Sequence, residues 1–291
     1  MKKILTAFLF ALLSGMLAVS YGVLAFRRRV EAEVRELFVY AKKEGGGLVT
    51  EEMLQGLPEP VRRYLTYSGV IGKPIVQTAR IRQAGMLRTG KEQPWMDFSA
   101  SEYFSVDPPG FVWDAIIKKG PFPLLLIRDM YRSGQGGMLA KLGGVYPLFD
   151  TRTQEITQGA LVRYLAEMVL FPSSFLGENI DWEAVDDHSA TATLTDSGLS
   201  VRGTFTFDDL GRVTNFTAER YMDSGDGKAS LETWKTPILS YQNTQGLILP
   251  EKIQTVWALR SGDLPVVQME MLETEYDRPV QFSVGGRDGS A

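Results

Sequence analysis

Arg163 and Glu167, a cation and an anion four residues apart, are the charged pair of most chemical interest in this chain. On a helix, that spacing puts them side by side on one face. Their ordinary role is a surface ion pair stabilising by about 0.2–0.5 kcal/mol. Their functional role would be at a ligand rim, where Arg163 meets an acidic headgroup and Glu167 keeps the guanidinium oriented while the site is empty. The rest of the chemistry is read by exclusion. The chain has no cysteine and one histidine, which removes thiolate nucleophiles, disulfides, thiolate metal sites and any site with two imidazoles from one chain. His188 stands in Asp186-Asp187-His188-Ser189, and no G-x-S-x-G turn offers a serine for a triad. It reads as a turn histidine. Gly134–Gly137 and Gly225-Asp226-Gly227-Lys228 lack phosphate-loop spacing and read as hairpin turns. Asp208-Asp209, Asp223 and Asp226 match no calcium-loop spacing. We assign no catalytic residue, no metal and no cofactor.

The element that must hold the pair is Gly159–Pro172, GALVRYLAEMVLFP. Leu161, Tyr164, Leu165 and Met168 recur at i, i+3, i+4, i+7, which predicts a helix with one apolar face. Phe171-Pro172 stops it, because proline disfavours helix at the residue before it. Strand-like runs lie on both sides. Before it come Ile75–Arg88, Met96–Val106, Phe111–Lys118, Leu124–Tyr131 and Met138–Leu148. After it come Ala190–Thr195, Leu199–Phe207, Arg212–Tyr221, Ala229–Trp234, Ile238–Gln242, Ile253–Leu259 and Val266–Tyr276. Turn residues separate them, giving about eleven or twelve strands interrupted once by a helix. Phe111, Trp113, Ala115 and Ile117 alternate onto one face of their strand.

At 291 residues, with 44% hydrophobic and 23% charged residues, the chain is an ordinary globular one. Net charge −4 and a pI near 5.3 give no electrostatic reason for a nucleic-acid partner. Residues 1–26 are expected to form a transmembrane anchor. Lys2-Lys3 precedes an uncharged run, Ile4–Phe26, and Arg27-Arg28-Arg29 follows it. As a helix of ~1.5 Å per residue the run spans roughly 35 Å, enough for a hydrocarbon core of about 30 Å. The competing reading is a cleaved signal peptide. Ala7, Ala11, Gly15, Ala18, Gly22 and Ala25 form a stripe of small residues, which predicts a homodimer through the anchor. The basic flank favours a cytoplasmic C-terminal side.

Residues 27–73 read as juxtamembrane helices around a glycine break. Val30, Val34, Leu37 and Ala41 make one stripe. A second short helix follows Pro58, with Val61, Tyr64 and Leu65 inward and Gly69 closing it. Residues 74–277 form the β domain, and 278–291 a tail.

Five segments together resemble a bacterial family of membrane-anchored proteins carrying a domain of unknown function. They are LPEPVRRYLTYSGVIGKP (Leu57–Pro74), DPPGFVWDA (Asp107–Ala115), RYLAEMVLFPSSFL (Arg163–Leu176), ATLTDSG (Ala192–Gly198) and GTFTFDDLGRVTNFTAERY (Gly203–Tyr221). The resemblance covers about Leu57–Tyr276 and implies no activity. The strand order is also similar to the periplasmic lipoprotein-carrier half-barrel, in which a curved antiparallel sheet wraps helices and shelters acyl chains. That likeness implies a domain outside the inner membrane, against the basic flank.

The expected fold is therefore mainly β with a few helices. A curved antiparallel sheet, a half-barrel, carries one helix on its concave face and follows an N-terminal transmembrane helix. One short helix cannot fill the concavity of so large a sheet, so an apolar cavity is expected at one open edge. Its expected lining is Phe111, Trp113, Arg163, Tyr164, Glu167 and Met168, and its occupant a lipid or hydrophobic small molecule. The alternative is a structural or regulatory interaction module of the envelope. A hydrolase using carboxylates alone ranks third.

Overall fold

The computed structural model describes residues 2–41, 46–120, 122–223 and 229–283. Three α-helices lie among them: α1 (Lys2–Tyr40), α2 (Glu59–Ser68) and α3 (Gln154–Glu167). The strands before α3 are β1 (Thr78–Leu87), β2 (Met96–Ser105), β3 (Gly110–Lys119), β4 (Phe122–Arg132), β5 (Gln135–Leu142) and β6 (Tyr146–Thr151). Those after it are β7 (Ile180–Asp186), β8 (Ser189–Asp196), β9 (Leu199–Phe207), β10 (Val213–Asp223), β11 (Ala229–Lys235), β12 (Ile238–Thr244), β13 (Leu247–Leu259) and β14 (Gly262–Tyr276). Among the described residues these fourteen strands make one sheet in the order β6-β5-β4-β3-β2-β1-β14-β13-β11-β10-β9-β8-β7, with β12 paired to β13. Every pairing is antiparallel. Helix α3 touches β4 and β5 in one half of the sheet and β9 and β10 in the other, so the sheet curls around it. The expected half-barrel with a helix on its concave face is what the chain forms.

Two strands differ from the expectation. Met138–Leu148 is not one strand, because Gly143 and Gly144 take φ of 57° and 75° and fold it into the β5–β6 hairpin. Ile180–Asp186, dense in acids, was not expected as a strand; it closes the far edge as β7. Helix α3 also begins earlier than Gly159, since the Thr153 hydroxyl accepts a hydrogen bond from the Ile156 N–H and caps it.

Hydroxyls pin the inner helical segment at one end of the half-barrel. Tyr164 donates to Ser105 O (3.0 Å), Tyr64 of α2 to Val169 O (2.9 Å), and Tyr276 to Leu170 O. Helix α2 and the 3-10 turns Met168–Leu170 and Pro172–Leu176 fill that end, with Val61, Tyr64, Leu65, Phe171 and Phe175 fully buried. The opposite end, where Leu87 of β1 pairs with Val267 of β14, carries no such plug among the described residues.

The outer face is covered by α1. Phe26, Val30, Val34 and Leu37 pack on Tyr103, Val112, Leu126, Met130 and Leu139, together with Phe282 from the C-terminal segment. Glu33 fastens the helix by pairing with Arg29 and with buried Arg128 of β4. This placement corrects the expected anchor. Among the described residues no helix is long and apolar enough to cross a membrane. The uncharged run is shared: from Gly22 onward it lies on the sheet, and the remaining stretch to Tyr21 spans about 27 Å, short of a ~30 Å core. The membrane partner, the single-pass membrane localisation and its extracytoplasmic side go with it. The homodimer stripe has no support either. Gly22 is spent inside the chain, where a Cβ would stand 2.5 Å from the Gly144 carbonyl oxygen. Gly45, Asp226 and residues 284–291, read above as break, turn and tail, lie outside the described residues.

Asp114 of β3 faces this outer helix. Burial raises its carboxyl to about 6, against the lowering effect of Arg27 and with help from Glu33. A raised folded value means the contribution is full below the unfolded pKa near 3.9 and is lost as pH climbs to about 6. Replacing Asp114 by Asn should therefore gain stability over the wild type as pH rises from 4 to 6.5, by on the order of 2 kcal/mol, then level off. Urea denaturation across that range checks it; an equal difference at both ends would contradict it.

Candidate functional site

The register of five strands sets a row of side chains on the concave face. Ile81 stands opposite Glu102, Glu102 opposite Trp113, Trp113 opposite Asp129, and Asp129 opposite Met138. A carboxylate on a strand's inward face requires a partner, because burying a lone charge is prohibitive. Arg163 of α3 supplies it. Its Nη2 donates to Glu102 Oε1 (2.6 Å), its Nη1 to Asp129 Oδ2 (2.9 Å) and its Nε to Glu167 Oε1 one helical turn on (3.0 Å). The guanidinium also lies 5.0 Å from the ring centroids of both Phe111 and Trp113.

A second layer orients the first. Trp113 Nε1 donates to Gln83 Oε1 (2.8 Å), and Gln83 Nε2 donates to Glu102 Oε2 (2.7 Å). Burial pushes the Glu102 carboxyl well above its usual range, opposed by Arg163 and reinforced by nearby Glu167. Glu167 is raised as well, by burial first, with Arg163 opposing. Two carboxyls this close, both penalised by burial, do not ionise together readily. Burial pulls Arg163 down, but the three carboxylates more than reverse it, so it stays charged. Among the described residues Glu167 Oε2 is buried with no hydrogen-bond partner.

Beside this cluster lies a cavity of about 280 Å3. Its walls are mainly apolar: Trp113, Ile127, Phe216, Trp234, Trp257 and Met269 are among them. Leu87, Thr89 and Phe149, all partly or fully exposed, stand where it meets the unplugged end. Its ionisable lining is Asp129, Arg163, Glu167, Arg220 and, near the mouth, Arg88. Arg220 of β10 donates from Nε to Gly159 O (3.0 Å) and stacks on Trp234, 4.6 Å from the ring centroid. Gly159 makes this possible, since a Cβ there would stand 3.2 Å from Arg220 Nε.

Of the expected site residues, Trp113, Arg163 and Glu167 line the cavity, whereas Phe111, Tyr164 and Met168 are packed into the core away from its walls. Arg163 and Glu167 are neither a surface pair nor at a rim. Glu167 is buried and the Arg163 side chain is only 11% exposed, because α3 is enclosed by sheet on several sides. His188 sits exposed in the β7–β8 turn with Nε2 2.8 Å from Asp209 Oδ1. Gln83, Glu102, Asp129 and Arg220 were missed. Their signal was available: each is a polar residue on the apolar alternation of its strand, Glu102 between Ala100 and Phe104, Asp129 between Ile127 and Tyr131.

The three carboxylates converge, but on a guanidinium. Arg163 fills the space that an attacking water or a metal ion would need, and the adjoining cavity is apolar rather than roomy and polar. The arrangement suits binding better than hydrolysis.

Residues 47–269 match the sequence profile described as "Family of unknown function (DUF6544)", and the chain belongs to that family. No curated protein matches it in sequence. Among solved structures it is similar to a DUF1329 family protein from Desulfovibrio piger, at 13% identity and a TM-score of 0.39, over 73% of this chain and 88% of that one. It is also similar to a LolA superfamily protein from Nitrosomonas europaea, at 10% identity and a TM-score of 0.40, over 79% and 94%. These likenesses are of architecture.

Removing the cation should strand the carboxylates. Arg163→Met is expected to lose roughly 3–5 kcal/mol at pH 8, and less at pH 5, where Glu102 and Glu167, both raised by burial, can take up protons. Chemical denaturation at the two pH values checks this. An equal or smaller loss at pH 8 would contradict it.

Proposed function

We propose that this member of the DUF6544 family is a non-catalytic binding protein that holds an apolar or lipid-like small molecule in the concavity of its half-barrel. The observation that carries the reading is the cavity itself. Its lining is drawn from both halves of the sheet, three tryptophans face it, and its ionisable groups gather in one patch with a single outlier at the mouth. Ligand pockets have this composition, mostly apolar walls with a few placed polar groups.

At about 280 Å3 the space is at the small end of pockets, which run from roughly 300 to 1,000 Å3 for drug-sized ligands. A hydrocarbon tail burying on the order of 200 Å2 there gains about 5 kcal/mol before association costs. Apolar contact alone thus gives weak binding, and a polar contact decides the affinity.

The alternative, an interaction module, draws on Ile4, Leu5, Leu9, Phe10 and Leu13 of α1, which are exposed beyond the sheet. It needs no cavity, so one experiment separates the two. The purified chain is extracted and the co-purifying small molecules identified by mass spectrometry, beside Ala140→Phe, which fills the cavity from β5. Enrichment of an apolar compound with the wild type and its loss in the variant is the expected result. No enrichment over a mock preparation with either protein would leave the interaction module.

A further inference from the structure

Arg163 and Arg220 both contribute to the cavity lining, but only one of them is neutralised. Arg163 has three carboxylates within 3.0 Å. Arg220, among the described residues, has the single hydrogen bond from Nε to Gly159 O and no ion pair. Its stacking on Trp234 and Trp257 holds the guanidinium flat against the wall without supplying a counter-charge. The remaining N–H groups of the fork have no partner among the described residues, and a guanidinium fork suits a carboxylate or another oxyanion.

The charges nearby limit what can enter. Glu167 faces Arg163 from its own helix, Glu102 from β2, Asp129 from β4 and Arg220 from β10; Gln83 and Trp113 carry no charge, and Glu232 stands across from Arg220 on β11. With one proton shared between the neighbouring Glu102 and Glu167 carboxyls, Arg163 and Arg220 balance Asp129 and that pair. An anion entering this balanced patch adds a negative charge next to Glu167, whose Oε2 is buried and unpartnered. Protonating Glu167 restores neutrality and turns that oxygen into a donor for the incoming group.

Resting on the ligand-binding reading above, we propose that the cavity takes an amphiphile with one anionic headgroup, a medium-chain carboxylate in chemical class. Arg220 pairs the headgroup, and Glu167 takes up a proton as it enters. This moves the headgroup contact expected of Arg163 to Arg220. Burial, partly offset by Asp129 and Glu167, lowers Arg220 only to about 10, so it remains charged at neutral pH.

The test uses three probes of equal chain length, decanoate, decanol and decylammonium, with the full chain, followed by wall-tryptophan fluorescence and calorimetry. Wild type should bind decanoate about tenfold or more tighter than decanol, the scale of a charge-assisted contact, and decylammonium weakest. Arg220→Gln should bind decanol as wild type does and lose the preference for decanoate; Arg220→Lys should keep part of it. Between pH 6 and 8 decanoate stays ionised, since carboxyls titrate near 4.3. Its affinity should fall across that range in wild type, while that of decanol is flat, and Glu167→Gln should remove the slope. Equal binding of decanoate and decanol, or a preference that survives in Arg220→Gln, overturns the headgroup assignment. A decanoate affinity flat with pH overturns the proton uptake. Binding of none of the three overturns the ligand-binding reading itself.

Discussion

A guanidinium enclosed by protein has to find its counter-charges there, and in this fold that requirement falls on Arg163. Leaving it unpaired would cost several kcal/mol, so Glu102, Asp129 and Glu167 must stand around it. Two of those acids come from different strands and the third from the same helix. The cluster therefore fixes how α3 is rotated and how far it slides along the sheet. A helix held only by Leu161, Leu165 and their apolar neighbours could roll by a fraction of a turn at modest cost; one held by three directional hydrogen bonds from a guanidinium to carboxyl groups cannot. Buried ion pairs are weak evidence for stability but are well suited to specifying one arrangement.

That fixed arrangement creates the cavity. The tyrosine contacts to Ser105, Val169 and Leu170 draw the helical segment towards one end of the half-barrel, and the charged cluster stops it from settling over the other. The opposite end is left lined by Trp113, Trp257, Leu125 and Val266, with no helix among the described residues to cover them. The polar corner and the apolar space are thus two consequences of one placement, which is why they adjoin.

Much of the architecture was legible in the sequence. The i, i+3, i+4, i+7 pattern of Leu161 to Met168 identified the inner helix, and alternation such as Phe111-Trp113-Ala115-Ile117 identified half-buried strands. Gly69 closed α2 as its conformation requires. The site was legible only in part. Spacing within one helix revealed Arg163 and Glu167, but their acidic partners are brought by strand register across 34 and 61 residues of chain, which no local pattern encodes. A stricter rule, that any charge on an apolar face must have a buried partner, would have singled out Glu102, Asp129 and Arg220. The apolar N-terminal run misled for a different reason. Its second half has a sheet to pack on, so composition suited to a hydrocarbon core serves equally to cover Tyr103, Val112 and Met130.

The central claim is that a preformed apolar space adjoins a charge cluster satisfied within the chain. Diffraction from a crystal pressurised with xenon tests it most directly, because xenon enters open apolar cavities and is excluded from filled ones. Xenon should appear between Trp113, Leu125 and Trp257, with the contacts of Arg163 to Glu102, Asp129 and Glu167 unchanged. Side chains collapsed into that space with no xenon bound, or Arg163 turned out of the cluster, would contradict it.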